Sequence, residues 1–461
     1  MEISPGSTKY WCPEHDDAIK SQVRQCYNTL EDKVKFYRQY TRVVGFDVRH
    51  STVKKSRDKE ITLKYMVCNR EGFKNAAMVM PTIGDGDVVG SIMQKRCMIS
   101  NRVGGKAKVV LKRAWSQQRD PSQVPCFFIF GDSLVDNGNN NGILTLARAN
   151  YMPYGVDFPS GTTGRFTNGR TFVDILAQLL GFDSYIPPFG RARGRELLRG
   201  VNYASGAAGI RDETGNNLGD HMAMNQQVEN FARTVEVLRR FFRGDNYTLN
   251  AYLSKCIFYV GMGSNDYLNN YFMPDFYSTH SDFTPQAYAA ALLKDYLQQL
   301  TNLHGLGARK IVVTSVGQIG CIPYELARYN GNDSKCNEEI NNAITIFNTG
   351  LKRLVDQFNK GQLPGSKFVY LDSFASSKDL VANARRYGFE VVDKGCCGVG
   401  KNNGQITCLP LQQPCDDRSK YIFWDAFHPT EVANILLAKK AFSSTSKVFA
   451  YPINIQQLAM M

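Results

Sequence analysis

Four short blocks of the sequence hold residue types that together could catalyse acyl transfer. The blocks are Gly131-Asp-Ser133, the Gly-rich stretch 200–209, Gly261-Met-Gly-Ser-Asn-Asp266, and Tyr421-Ile-Phe-Trp-Asp-Ala-Phe-His-Pro429. Acyl transfer requires a nucleophile, a base for its proton, a group that orients the base, and hydrogen-bond donors for the oxyanion. Taken alone, the first block is equally compatible with a purely structural turn, since Gly, Asp, Asn and Ser are common turn residues.

Each of these chemical requirements has a candidate in the set. Ser133 can attack the carbonyl carbon, and His428 can accept the proton of Ser133. Asp425, three residues before His428, can hold the imidazole if the two residues share a helical turn. The oxyanion can be bound by the backbone N–H groups of Ser133 and Gly206 and by the side-chain amide of Asn265. The four blocks together therefore predict a serine acyl-transfer site.

The remaining histidines and acids have weaker claims to catalysis. Asp132 and Asp136 flank Ser133, and the stabilisation of its turn is the role that we expect for both. Asp266 is a weaker candidate for the triad acid than Asp425, because only Asp425 has a histidine within one turn. The other histidines lack a nucleophile or acid at a suitable spacing and are interpreted as surface or structural residues: His15, His50, His221, His280 and His304.

Apolar runs that alternate with helical patterns would position these residues. From Pro125 onward, Val/Ile/Phe-rich runs of strand length predict strands that are buried on both faces, which is typical of a parallel sheet covered by helices. In such an α/β fold the reactive groups gather at the carboxyl ends of the strands. The strand candidates are 126–130, 255–260, 310–314 and 367–371, and the helical patterns include 227–240 and 341–348.

From about Pro125 to its end, the chain resembles the plant-type branch of the GDSL (SGNH-type) esterase/lipase family. The matching motifs are GDSLxDxGNN at 131–140, NYASG at 202–206, GSNDY at 263–267, GCxP at 320–323, CCG at 396–398 and FWDxFHPT at 423–430. The resemblance implies a flavodoxin-like, three-layer fold and hydrolysis of lipid, acyl-sugar or small esters through an acyl-serine, without metal or organic cofactor. It gives Ser133, Asp425 and His428 the catalytic roles, and makes Gly206 and Asn265 oxyanion donors. One departure is Ala207, where that branch usually has glycine, and no loss of chemistry is expected from its methyl group.

Six of the twelve cysteines lie in loop-like, Gly- and Asn-rich stretches between Cys321 and Cys415. This crowding favours disulfides and an oxidising compartment, with Cys321–Cys336 as the first pairing that we expect. A zinc site of four cysteines is the competing interpretation, but no C-x2-C pair is present to start one. The sequons at Asn246 and Asn332 agree with secretion. Against it, the first 20 residues show no signal-peptide pattern, and no apolar run reaches the roughly 20 residues of a membrane span.

The basic charge of the chain is concentrated in residues 1–120. This segment holds 23 Lys and Arg against 13 Asp and Glu, whereas the remainder holds 32 against 29. Such a change in charge predicts two segments with different partners, and residues 119–125 carry the turn-forming residues expected of a boundary. We therefore expect a small basic α+β domain over residues 1–120 and a hydrolase domain over residues 121–461.

Residues 31–113 resemble the DNA-binding domain of the transposase-derived far-red-impaired-response family. A helix over 31–44 and strands over 46–49 and 61–68 are expected, and the stretches 44–49, 68–73 and 104–110 carry the resemblance. That family binds zinc, for which Cys68 could be the first ligand, but Gly105 stands where the second cysteine should be. The segment is thus interpreted as a degenerate basic remnant with at most weak, salt-sensitive affinity for nucleic acid. Two alternatives are a nucleic-acid-binding protein with an inactive hydrolase segment, and a fused or mis-assembled gene.

Residues 1–120 should be dispensable for ester hydrolysis, because all four blocks lie beyond Pro125. We expect residues 121–461, secreted behind a signal sequence, to match the activity and melting temperature of the full chain. Any binding to duplex DNA should be confined to the full chain and should disappear as the salt concentration rises. A truncated form that is insoluble or inactive beside an active full chain would show that the domain boundary is wrong.

Overall fold

A computed structural model describes residues 122–328 and 336–461 in full and, within residues 1–121, the backbone of seven strand segments. The chain divides into two compact units, Met1–Arg119 and Asp120–Met461.

The second unit is built on a five-stranded, mostly parallel sheet. The unit as a whole contains the strands β1 (Phe127–Gly131), β2 (Ile257–Gly261), β3 (Lys310–Thr314), β4 (Lys367–Leu371), β5 (Val391–Gly395), β6 (Tyr421–Phe423) and β7 (Ala450–Tyr451), of which five form this sheet. The order across the main sheet is β7-β4-β3-β2-β1; the last four are parallel, and β7 is antiparallel to β4. Strands β5 and β6 form a separate parallel pair. The four strands expected from the sequence are confirmed, whereas β5, β6 and β7 were not predicted.

Alternate residues of the strands face two separate hydrophobic clusters. On one face Phe128, Phe258 and Ile311 join a cluster with residues of the helices that cover that side, and on the other face Phe127 and Ile257 join a second cluster. Both faces are buried because apolar side chains leave water on each side of the sheet. The result is the three-layer α/β architecture that the sequence predicts.

Nine helices are labelled in the second unit. They are α1 (Phe172–Leu179), α2 (Met224–Phe241), α3 (Asn246–Leu253), α4 (Pro285–Gly305), α5 (Pro323–Arg328), α6 (Glu338–Gln357), α7 (Ser373–Ala382), α8 (Glu431–Ser443) and α9 (Ile455–Met460). The two helical patterns noted in the sequence lie within α2 and α6. Thr284 caps α4, where Pro285 occupies a first-turn position, and Asn337 caps α6; both side chains accept backbone N–H groups that the helix leaves unpaired.

The segment 201–205 runs beside β1 and brings Gly206 to the carboxyl end of that strand. Ile129 N donates to Val201 O at 3.0 Å, and Ser205 N donates to Gly131 O at 3.0 Å. Gln227 on α2 is fully buried and clamps the same strand end, since its Oε1 accepts from Gly131 N at 3.0 Å and its Nε2 donates to Gly131 O at 2.8 Å. The block around Gly206 is thereby fixed beside the block that holds Ser133.

The first unit is described as strands alone. Asp47–Lys55, Ile61–Arg70, Phe73–Met80, Lys95–Met98 and Lys108–Leu111 form a five-stranded sheet, and Glu2–Ile3 pairs with Lys9–Tyr10. The strands expected at 46–49 and 61–68 correspond to the first two, which pair antiparallel. The helix expected over 31–44 and the position of Gly105 lie outside the described residues.

Four disulfides cross-link the second unit. They are Cys126–Cys256, Cys321–Cys336, Cys396–Cys415 and Cys397–Cys408. The expected Cys321–Cys336 pair is confirmed, and all six loop cysteines are paired, so none of them is a zinc ligand. Cys126–Cys256 was not predicted because both residues sit at the starts of buried strands rather than in loops; β1 and β2 are neighbours, which brings them together. Within the described ranges, no helix is long and apolar enough to cross a bilayer.

The disulfides should contribute unequally to stability. Cys126–Cys256 spans 130 residues and Cys321–Cys336 spans 15, so the chain-entropy relation gives losses of about 5 and about 3 kcal/mol respectively. Replacing each pair by alanines and measuring the free energy of unfolding in urea checks the order. Equal losses for the two variants, or free thiols at these positions in peptide maps of unreduced protein, would contradict it.

Candidate active site

Ser133 lies in a tight turn at the carboxyl end of β1. The carbonyl of Asp132 accepts the N–H groups of Val135 at 3.2 Å and Asp136 at 3.0 Å, and its Oδ1 accepts the N–H of Leu134 at 3.0 Å. The Asp132 side chain is therefore turned into the protein, whereas that of Ser133 is partly exposed. The turn residues that suggested a structural role thus also set the direction of the serine hydroxyl.

Asp425 and His428 lie in a turn after β6. The chain folds back on itself there, since Trp424 N donates to His428 O at 2.7 Å. Asp425 Oδ1 accepts the N–H groups of Phe427 at 2.9 Å and His428 at 2.7 Å. The helical turn that the sequence argument required is absent at this place; an aspartate-capped turn brings the two side chains together instead.

Ser133, His428 and Asp425 form a continuous chain of hydrogen-bonding contacts. His428 Nε2 is 2.8 Å from Ser133 Oγ, and its Nδ1 is 2.8 and 2.9 Å from the two oxygens of Asp425. Asp425 is fully buried, and His428 is 7% exposed. Burial raises the pKa of Asp425, but the charge of His428 and hydrogen bonds from it and from Tyr154 outweigh burial, so that the net pKa lies below its ordinary value. The carboxyl group is therefore ionised at neutral pH and can orient and stabilise an imidazolium.

Two hydroxyl groups that sequence reasoning missed complete the surroundings of Asp425. Its Oδ2 accepts from Tyr154 Oη at 2.5 Å and from Thr407 Oγ1 at 3.1 Å. Tyr154 is 271 residues away along the chain, and no spacing rule connects such distant positions. Burial holds the pKa of Tyr154 well above its ordinary value, so the phenol stays protonated and donates.

The three oxyanion candidates differ in their present hydrogen bonds. Ser133 N–H has no acceptor among the described residues. Asn265 Nδ2 donates to Ala208 O at 2.9 Å, which uses one of its two hydrogens, and Asn265 Oδ1 accepts from Asn269 Nδ2 at 2.7 Å, which fixes the orientation of the amide. Gly206 N donates to Asp136 Oδ2 at 3.1 Å.

The backbone around Gly206 leaves no space for a side chain. A Cβ on Gly206 would lie 2.8 Å from Asn140 Nδ2 and 2.8 Å from the ring of Phe166. Ala207 has φ +69°, in the left-handed region that glycine adopts without strain. This conformation explains why glycine suits the position after Gly206, and Ala207 adopts it with modest backbone strain.

Asp136 and Asp266, near the carboxyl ends of β1 and β2, accept backbone N–H groups of nearby loops. Asp136 Oδ1 accepts the N–H groups of Gly138 and Asn139, both at 2.8 Å. Asp266 accepts the N–H groups of Ile210 at 2.8 Å and Arg211 at 3.1 Å. Burial raises the pKa of each aspartate to about 6. These hydrogen bonds fit the structural role expected for Asp136 and leave Asp425 as the acid beside His428.

The other histidines within the described residues stand apart from this chain of contacts. His221 Nδ1 is 3.2 Å from Gly219 O, His304 Nε2 is 2.9 Å from Pro364 O, and His280 packs 4.9 Å from the ring of Tyr271. The side chains of His15 and His50 lie outside the described residues.

A largely apolar cleft opens at the carboxyl ends of β1 to β4 and is here called the sheet-end cleft. It encloses about 1090 Å³ of empty space, its open mouth included. Leu134, Ser264, Phe427 and Pro429 line it, and these residues are chain neighbours of Ser133, Asn265 and His428. The polar part of its lining includes Asp132 and Asp372. Apolar side chains that line it include Phe172, Met262, Ile319, Ile322, Leu437 and Phe449.

Asp132 should make stability depend on pH in the opposite sense to a salt-bridged carboxylate. Burial raises its pKa from 3.8 to about 6, so the folded state holds this proton over a pH range where the unfolded state has lost it. The contribution of Asp132 to stability therefore falls as pH rises through this window. Asp132→Asn cannot ionise at this position. The free energy of unfolding of Asp132→Asn minus that of the wild type should therefore rise by on the order of 2–3 kcal/mol between about pH 3.5 and pH 7. Urea unfolding of both proteins at several pH values measures the gain; a difference that is constant with pH would contradict it.

Comparison with known proteins agrees with this geometry. The family model GDSL-like Lipase/Acylhydrolase matches residues 127–441, and the FAR1 DNA-binding domain model matches residues 35–120. GDSL esterase/lipase At1g33811 of Arabidopsis thaliana is 68% identical over 351 residues, covering 76% of this chain and 94% of its own. GDSL esterase/lipase At5g45670 of the same plant is 55% identical over 337 residues, covering 73% and 92%. The chain therefore belongs to the GDSL esterase/lipase family of carboxylic ester hydrolases, which use a serine nucleophile.

Proposed function

We propose that Ser133 is the nucleophile of this ester hydrolase, with His428 as its general base and Asp425 as the residue that orients His428. The observation that carries the proposal is the unbroken contact chain from Ser133 Oγ through both ring nitrogens of His428 to the buried Asp425 carboxylate. A base within hydrogen-bond reach of a hydroxyl, and itself oriented by a third group, is the arrangement that activates a serine.

The reaction would proceed in two displacement steps. Ser133 Oγ attacks the ester carbonyl carbon while His428 Nε2 takes its proton, and the C=O oxygen becomes an oxyanion. When the tetrahedral intermediate collapses, His428 returns that proton to the leaving alkoxide, and the acyl group remains on Ser133. A water molecule then attacks the acyl-serine with His428 as its base, and the carboxylic acid leaves as Ser133 regains its proton. Asp425 keeps Nδ1 protonated throughout, so that Nε2 is the nitrogen that exchanges protons.

The oxyanion would be bound by Ser133 N–H, the second amide hydrogen of Asn265 and Gly206 N–H. Support comes from the free Ser133 N–H and from the fixed orientation of the Asn265 amide, because donors that are already oriented need no reorganisation during the reaction. Gly206 N–H would have to divide its hydrogen between Asp136 Oδ2 and the oxyanion in a three-centre bond.

The acyl portion of the substrate would occupy the sheet-end cleft. Its lining is mainly apolar and includes chain neighbours of the proposed nucleophile and base. Burial of methylene groups there contributes about 0.8 kcal/mol each. An ester of a fatty or other apolar acid is therefore the substrate class that the cleft favours, which fits a lipid or acylated small molecule.

An extracellular or otherwise oxidising location is proposed from the cysteines. The four disulfides that cross-link the hydrolase unit persist where thiols are oxidised. The sequon at Asn246 begins the helix α3 beside the exposed Tyr247, so a glycan could be accommodated there. The second sequon, at Asn332, lies outside the described residues.

Any nucleic-acid binding is proposed to be confined to residues 1–120. The FAR1 match over 35–120 and the excess of Lys and Arg in this segment favour it. The gap in the expected zinc-ligand set, with Gly105 in place of a cysteine, argues that such binding is weak and driven by phosphate charge.

Ser133→Ala should abolish ester hydrolysis and leave the fold intact. The substitution removes the nucleophile, so kcat/KM should fall by at least about 10⁴-fold. Hydrolysis of p-nitrophenyl acetate, butyrate and octanoate by purified protein measures the loss, and the wild type should favour the longer acyl chains if the cleft binds them.

Ser443→Ala is the matched control, since Ser443 is exposed and, within the part of the chain that the structure describes, its hydroxyl donates to Lys439 O of its own helix. It should retain wild-type activity, and both variants should keep the wild-type melting temperature. Comparable turnover by Ser133→Ala would exclude Ser133 as the nucleophile. A preference for acetate would exclude the cleft as the acyl site.

A further inference from the structure

We infer that Tyr154 and Thr407 are positioning residues that hold the Asp425 carboxylate against His428, and that the double-disulfide segment 396–415 fixes Thr407 for this task. The inference rests on the proposed roles of Ser133, His428 and Asp425. It adds two side chains and a covalent brace that act on catalysis through Asp425.

The first support is the division of the Asp425 oxygens between two sets of donors. Oδ1 accepts from two backbone N–H groups of its own turn. Oδ2 accepts from Tyr154 Oη and Thr407 Oγ1, and these two hydroxyls are themselves 2.6 Å apart. His428 Nδ1 lies within 2.9 Å of both oxygens. The carboxylate is thus held at both ends, and rotation about its Cβ–Cγ bond would break contacts on each side.

The second support is the immobility of the Tyr154 ring. Its side chain is 1% exposed and packs edge-on against Trp424 at 6.1 Å and Phe166 at 6.3 Å between ring centroids. Phe166 in turn lies 5.1 Å from the His428 ring. The buried Tyr154 hydroxyl is directed at Asp425, to whose Oδ2 it donates.

The third support is the way in which segment 396–415 is anchored. Thr407 precedes Cys408, which is joined to Cys397, while Cys396 is joined to Cys415. Cys397 N donates to Trp424 O at 2.7 Å, directly before Asp425. The Cys397–Cys408 disulfide therefore joins the residue after Thr407 to Cys397, whose N–H holds the backbone directly before Asp425.

The same segment is also fastened to the stretch that carries Tyr154. Cys408 O accepts from Tyr151 Oη at 2.7 Å, and Leu411 N donates to Met152 O at 2.8 Å. Both hydroxyl donors of Asp425 Oδ2 are thus held by one cross-linked piece of structure, although they are far apart in the sequence.

The effect of losing a donor can be read from the charges around Asp425. The titratable groups that face it are His428, Tyr154 and Tyr151, and Asp132 acts on His428 from the turn at Ser133. Tyr154 is neutral and its hydrogen bond lowers the pKa of Asp425. Removing this bond raises the pKa of Asp425 and makes its carboxylate a stronger partner for the imidazolium form of His428. Because an imidazolium cannot accept the proton of Ser133, activity is lost at a higher pH than in the wild type.

The test compares Tyr154→Phe and Thr407→Val with the wild type, using kcat per active site titrated with a fluorophosphonate, KM, and the pH profile of kcat/KM. We expect kcat per site to fall roughly 10- to 100-fold in Tyr154→Phe, because hydrogen bonds to charged groups are the strong ones. Thr407→Val should lose less, because its bond to Asp425 is longer. KM should stay within about twofold of the wild type, and the acid limb of kcat/KM should move to higher pH.

Tyr387→Phe is the matched control, since it also removes a tyrosine–carboxylate hydrogen bond, to Asp379 Oδ2 at 2.8 Å, away from Asp425. It should lower the melting temperature without changing kcat per site or the pH profile. If Tyr154→Phe and Thr407→Val behave in the same way, with fewer titratable sites but unchanged kcat per site, the two residues are merely structural and the inference is wrong. Thr407→Val alone decides the matter if Tyr154→Phe is not recovered folded.

The brace is tested by replacing Cys397 and Cys408 with alanine. We expect kcat per site to fall, and to fall little further when Thr407→Val is added, because both changes release the same hydroxyl. Fully additive losses, or unchanged kcat per site, would overturn the role of the disulfide. The outcome is distinct from a failure of the proposed function: an active Ser133→Ala protein rejects the nucleophile itself, whereas an unaffected Tyr154→Phe protein beside an inactive Ser133→Ala protein rejects only the positioning role.

Discussion

A fully buried, ionised carboxylate needs hydrogen-bond donors on every side, and Asp425 imposes this requirement on the structure around it. The penalty for burying an unpaired charge is several kcal/mol even after relaxation. Asp425 meets it with two backbone N–H groups, two hydroxyls and the imidazole of His428. These donors come from three distant parts of the chain, so satisfying one side chain requires that the turn after β6, the stretch at Tyr154 and the segment 396–415 all assemble together.

The other buried aspartates near the site show what distinguishes Asp425. Asp132, Asp136 and Asp266 are just as buried, and each accepts backbone N–H groups, yet burial raises the pKa of each to about 6. Asp425 alone among the four has a net pKa below the ordinary value, and it alone has the imidazole of His428 against it. The four carboxyl groups are similarly buried, so it is their hydrogen-bond partners that distinguish the candidate catalytic residue Asp425 from the three that stabilise the backbone around them.

The sequence predicted those parts of the fold and site that depend on local chemistry. Every residue of β1 is buried, and β2 to β4 are buried except at one or both end residues. Parallel strands bring their carboxyl ends to one edge, so the blocks after them could be expected to meet. Strand β7 was not predicted, because it has only two residues, Ala450–Tyr451, which is too short for a periodic pattern. Tyr154 and Thr407 escaped because their roles exist only where the folded chain brings them to Asp425. Cys126–Cys256 escaped because its pairing follows from which strands are neighbours, not from the spacing of the cysteines.

The disulfides of the second unit and the zinc chemistry of the FAR1 family require different redox conditions. The family matches cover adjacent stretches, 35–120 and 127–441, without overlap. The four disulfides found among the described residues lie in the second unit, and disulfides form in oxidising compartments. A zinc-dependent DNA-binding domain needs free thiolates at positions such as Cys68, and thiols are kept reduced in the cytosol and nucleus. A compartment that suits the hydrolase therefore works against a zinc site in the first unit. The excess of Lys and Arg is insensitive to this conflict, because their attraction for phosphate depends on salt and not on the state of any thiol.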